Sequence, residues 1–193
     1  VRRRPGPADL LGLEAYARAR PAFRQRAMAH RAARRVAVGP HASWCFEDRL
    51  TVQYQILQML RSERTFAADG IQAELDAYNP LIPDGTNLKA TLLLEYPDAA
   101  VRGVALRRLR GVEGRCFVEL AGRRVFALAG EDLVRESGEK TSAVHLLRFE
   151  PGAAQRGPFA AGPVVIGIDH PAYTHATALA PAARAALAAD LDP

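Results

Sequence analysis

Only two cysteines, Cys45 and Cys116, occur in 193 residues. They lie far apart and form no CxxC pair, which excludes a zinc ribbon and a dithiol redox motif and fits a reduced, cytoplasmic setting. Long apolar runs are also missing. The uncharged stretch from Gly157 to Ile168 is short and interrupted by Gly and Pro, so no membrane span is expected. Arg2, Arg3 and Arg4 resemble the start of an export signal, but Glu14, Arg18 and Arg20 break the apolar segment that would have to follow. No phosphate-cradling Gly-rich loop, dinucleotide fingerprint, HExxH or nucleophile elbow is found. Lysine is nearly absent: 24 of the 26 basic residues are arginine.

The 49% hydrophobic content is enough for one sizeable core and argues against disorder. Charge is unevenly placed. Residues 1–35 hold ten arginines against Asp9 and Glu14, a net charge of +8, so the remaining chain is near −3. A basic segment on a mildly acidic body suits nucleic acid, an acidic partner or the body itself. Nucleic acid is disfavoured, because Phe117 and Phe126 share their strand face with Glu119 and no RNP-like run is present.

Periodicity predicts a helical N-terminal region over residues 1–78, with Asp9 capping a helix over Leu10 to Ala19 and Pro21 opening a second toward Arg34. A short strand follows at Val36 to Val38, then a long helix from Phe46 to Phe66 and a short one from Ile71 to Ala77. Residues 79–87 form a turn-rich connector with two X-Pro bonds and a Pro83-Asp84-Gly85 turn. Residues 88–193 then read strand, helix, strand, a hairpin around Gly122, a polar connector from Gly130 to Thr141, another strand, a weak helix, a final strand and a C-terminal helix opened by Pro181. That order predicts an α+β fold: a ferredoxin-like antiparallel sheet with one extra strand, preceded by the helical half and forming one compact unit with it.

The Phe46 helix carries the most informative pattern. At 100° per residue its apolar residues fill one arc, and Arg49, Gln53, Glu63 and Arg64 fall inside that arc. Such groups must be paired in the fold or line a site. Glu95 lies on the mixed strand face with Lys89, Thr91 and Leu93, where a docked helix could offer it Arg49 or Arg64 as a partner. Together Arg49, Gln53, Glu63, Arg64 and Glu95 are the candidate polar pocket. His145 shares a strand face with Ala143, Leu147 and Phe149, which suits either a hydrogen-bonded core imidazole or a ligand. Asp169 and His170 end a strand before Pro171, which suits either an Asp-turn or a site edge. Convergence of His145 and His170 on Glu63, Glu95 or Glu47 would supply ligands for iron, manganese or zinc.

The blocks FEDRLTVQYQ, AYNPLIPDGTNLKATLLLEYPD, EKTSAVHLLRFE and IDHPAY resemble those of an uncharacterised bacterial family known as domain of unknown function 3501. The resemblance implies no established activity and carries over no catalytic residue. It implies an association with rubrerythrin-like and iron–sulfur oxidoreductase proteins. The expectation is therefore an accessory or cofactor-binding component of a redox system with a redox-protein partner, its pocket lying where the Phe46 helix meets the sheet. The alternative is an enzyme using the same polar set, with Glu63 or Glu95 as acid or base and His145 as partner.

Overall fold

A computed structural model describes residues 4–65, 67–129 and 139–191. Nine strands form two antiparallel sheets among these residues. The first sheet has the order β1-β2-β3-β7-β6, from Arg35–Ala37, Ala42–Phe46, Leu88–Leu94, Val144–Phe149 and Leu128–Ala129. The second has the order β5-β4-β8-β9, from Arg123–Phe126, Cys116–Leu120, Val164–His170 and Tyr173–Ala178. The single ferredoxin-like sheet expected from the element order is thus replaced by two sheets. The cause is local: the segment after Gly122 breaks at Ala127, so that β5 pairs with β4 while β6 crosses to β7.

The sheets share one core. Trp44, Phe46, Leu92 and Phe149 of the first meet Val118, Ile166 and Ile168 of the second. Strict alternation in β3 sends Leu88, Ala90, Leu92 and Leu94 into this core and leaves Lys89, Thr91 and Leu93 on the opposite face. Helices α4 (Ala99–Arg108), α5 (Ala153–Ala161) and α6 (Pro181–Ala188) supply Leu106, Phe159 and Leu187 to the same core. Asp98 caps α4 by accepting the Val101 N–H at 2.8 Å.

The opposite face of the first sheet is covered by a helical layer: α1 (Leu13–Ala32), α2 (Arg49–Glu63) and α3 (Ala68–Tyr78). A second apolar cluster holds this layer together through Val52, Ile56, Leu60, Leu75 and Ile82. Two helices were expected around Pro21, yet α1 runs through it. Tyr16 and Phe23, on either side of the proline, both pack on α2: Tyr16 donates to Gln58 at 3.0 Å and Phe23 stacks on Tyr54 at 6.2 Å. That anchoring offsets the one lost hydrogen bond.

The long helix also begins later than its periodicity predicts. Phe46 closes β2, buried on both faces between core and helical layer, and Asp48 starts α2 by accepting the N–H groups of Leu50 and Thr51 at 3.0 Å each. Arg64 ends it in the left-handed region, with φ 54°. Phe66, the far end of the expected helix, and most of the Gly130–Thr141 connector lie outside the described residues. Within those residues no helix is long and apolar enough to cross a membrane.

Candidate functional site

The residues singled out in sequence do not assemble into one pocket. Arg49 pairs with Asp9 at 3.1 Å, and Gln53 donates to the Asp9 carbonyl at 2.7 Å, so both tie the N-terminal segment to α2. Glu63 and Arg64 are exposed, because the helix ends between them. Their place within the apolar arc therefore does not mean burial. Glu95 meets neither Arg49 nor Arg64. It takes Arg35 and Ser43 as partners, each at 2.6 Å, and the Ser43 and Arg35 bonds outweigh desolvation and hold its carboxyl below the usual range.

The histidines are separated too. His145, on β7, faces the Thr141 hydroxyl at 3.2 Å, the Ser142 carbonyl at 2.9 Å and Glu113 at 3.7 Å. His170 ends β8 in the other sheet, with Nε2 3.0 Å from the Arg110 carbonyl and Nδ1 accepting the Ala172 N–H at 3.1 Å. Both rings are satisfied by local structure, and neither meets Glu63, Glu95 or Glu47. No group of three or more His, Cys, Asp or Glu side chains among the described residues could hold a metal ion. Asp169 pairs with Arg124 at 3.0 Å.

What the fold does build is a cleft between the helical layer and the covered face of the first sheet. It has two adjoining lobes of about 730 and 610 Å³, which share Glu47, Pro80, Leu81 and Leu146. The volumes lie in the range of small-molecule sites. The larger lobe lies against α2 and α3, with Val52, Tyr78, Leu93 and Val144 as its apolar walls. The smaller opens toward Lys89, Asp84, Arg148 and Glu150.

Glu47 stands where the lobes join. It is 7% exposed, and strand β2 and the Asp48 cap fix it from either side. Its Oε2 accepts from the Thr51 hydroxyl at 2.6 Å and its Oε1 from the Thr91 hydroxyl at 2.8 Å. A carboxylate accepts about four hydrogen bonds, so capacity remains on the cleft side. Among the described residues no Arg, Lys or His nitrogen lies within ion-pair distance of it. A buried carboxylate held only by hydroxyls is unusual in a finished structural network, where a cation ordinarily completes the set.

Behind Glu47, the start of α2 is locked. His30 Nε2 lies 2.5 Å from Asp48 Oδ2, and Arg34 reaches the same oxygen at 3.3 Å. Arg34, 2% exposed, also donates to Asp190, 1% exposed, at 2.8 Å, which ties the end of the chain to the helical layer. Burial pushes the Asp48 carboxyl up, but Arg34, the Thr51 N–H and His30 outweigh it and hold the group below the usual range. On the cleft wall, burial and the charge of Glu63 raise the Glu74 carboxyl. Burial lowers the Lys89 ammonium, which donates to the Pro80 and Ile82 carbonyls at 2.5 and 3.2 Å.

In sequence, Asp48 and Thr51 fell inside the expected Phe46–Phe66 helix and were not singled out, and Glu47 entered only as one possible ligand for the two histidines. Its role depends on Thr91, 44 residues away on another strand. No local signal marks that pairing.

A family profile described as "Protein of unknown function (DUF3501)" matches residues 6–191. A crystal structure at 1.90 Å of a protein of unknown function from Burkholderia pseudomallei K96243 is similar to this chain, with 49% sequence identity and a TM-score of 0.93. The match covers 98% of this chain and 100% of that one. No curated protein matches.

Proposed function

The chain belongs to the DUF3501 family of proteins of unknown function, and we propose that it is a small-molecule-binding protein whose site is the two-lobed cleft around Glu47. The observation that carries the reading is Glu47 itself: a buried carboxylate with hydroxyl partners alone, set in the wall shared by both lobes. This reading keeps the expected cofactor-binding component but makes the bound molecule organic. A metal centre on His145, His170, Glu63 and Glu95 has no support in their placement. The redox association rests on family resemblance alone. An enzyme acting through Glu63 or Glu95 with His145 has the same difficulty, since Glu63 is exposed at the end of α2, Glu95 is held by Arg35 and Ser43, and His145 faces Thr141, Ser142 and Glu113.

Leu146 lines both lobes, so Leu146→Trp should fill their junction without altering Glu47. Compounds that raise the Tm of the wild-type protein should lose that effect on the variant. Persistence of the full shift in a folded variant would place their binding elsewhere and defeat the reading.

A further inference from the structure

The larger lobe has a charge character of its own. Glu47, Glu74 and Asp76 line it against one guanidinium, Arg31. Glu74 contributes the second observation: its Oε2 is buried and has no hydrogen-bond partner. A buried acceptor left open costs free energy, and the cost is recovered when a donor arrives. Glu47 and Glu74 thus present acceptors, while Val52, Tyr78, Leu81, Leu93 and Leu146 supply apolar surface. An anion would meet three carboxylates there. A bare metal ion would lack ligands, because the lobe's carboxylates do not form a cluster able to chelate one.

Resting on the proposed cleft, we infer that the larger lobe binds an organic cation, a protonated amine carried on an apolar body, with Glu47 and Glu74 as its acceptors. The amine donates charge-assisted hydrogen bonds to the two carboxylates, and the body lies between α2–α3 and the strand face bearing Leu93 and Leu146. A volume of about 730 Å³ leaves room for a body of drug-like size.

Three matched probes separate the charge claim from the cleft claim: 3-phenylpropylamine, 3-phenylpropanol and 3-phenylpropionate, titrated into the ¹⁵N-labelled chain. The amine should shift the amides of Thr91, Leu93 and Leu146 and bind at least about tenfold more tightly than the other two, as expected of charge-assisted bonds. Glu74→Gln should remove most of that preference. It disturbs no hydrogen bond of Oε2, so its fold is expected to hold, and dispersed amide resonances check that directly. Equal binding of the alcohol or the acid at these amides would overturn the cation while leaving the cleft standing. A preference untouched by both Glu74→Gln and Glu47→Gln would overturn the assigned acceptors and the inference with them. No shift at the cleft with any probe would overturn both the inference and the reading beneath it.

Discussion

Asp48 joins two tasks in one side chain. Oδ1 caps α2 while Oδ2 receives His30 and Arg34, so the helix that positions Glu47 is fixed to α1 and, through Arg34 and Asp190, to the end of the chain. Its depressed folded pKa has a definite consequence for stability. The unfolded carboxyl titrates near pH 3.9. A folded value below this means the stabilisation is fully present above about pH 4 and is lost as pH falls through the folded pKa. Asp48→Asn keeps a capping oxygen but no titrating charge. Chemical unfolding from about pH 6 down to pH 2 should therefore show the wild-type advantage over Asp48→Asn shrinking toward the acid end. A constant gap would show that Asp48 does not titrate differently in the folded chain. Sequence placed this residue inside the expected Phe46–Phe66 helix and not at its start, so the cap was not read. Its bonds to His30 and Arg34 were hidden as well, because His30 lies on α1 and Arg34 in the turn that follows it.

Tyr173 works at the level of elements, joining the second sheet to the first. Its hydroxyl accepts the His41 N–H at 2.9 Å and donates to the Val38 carbonyl at 2.8 Å, so β9 is pinned to the β1–β2 turn. Gly39 makes the approach possible: its φ is +73°, and a Cβ there would lie 2.7 Å from the Tyr173 oxygen and 2.5 Å from the His175 ring. Tyr173→Phe leaves both backbone groups without this partner and should lower stability by about 1–3 kcal/mol in denaturant unfolding. A loss below a few tenths would mean that water replaces the hydroxyl. Elements with a local signature were legible: alternation in LKATLLL, the Asp98 cap and Pro181 each name their element without outside help. Two strands were missed for identifiable reasons. Strand β2 is buried on both faces and so shows no alternation, while Pro171 in IDHPAY suggested a loop where it sits in the turn of the β8–β9 hairpin.

At the scale of the whole molecule, the same strand order can fill one sheet or two, and the break at Ala127 between β5 and β6 accompanies the second arrangement. Residues that seemed to belong together, such as His145 and His170, thereby fall in different sheets. The two sheets close on an apolar core, and the helical layer closes on the far face of the first, leaving the Glu47 cleft between them. The sequence led to the expectation of a pocket where the long helix meets the sheet and to Arg49, Gln53, Glu63 and Arg64 as its residues; none of these four lines the cleft. Helical periodicity reports which residues share a face; it does not report where the helix starts or which side of the layer lies open. Fragment mapping tests the cleft most directly. A chemically diverse fragment set, screened by ¹⁵N amide shifts on the full chain, should give perturbations clustered at Thr51, Tyr78, Thr91, Leu93 and Leu146. Clustering instead at the exposed Val101 and Val104 groove beside Tyr96 and Ala172, or no clustering at all, would contradict the account.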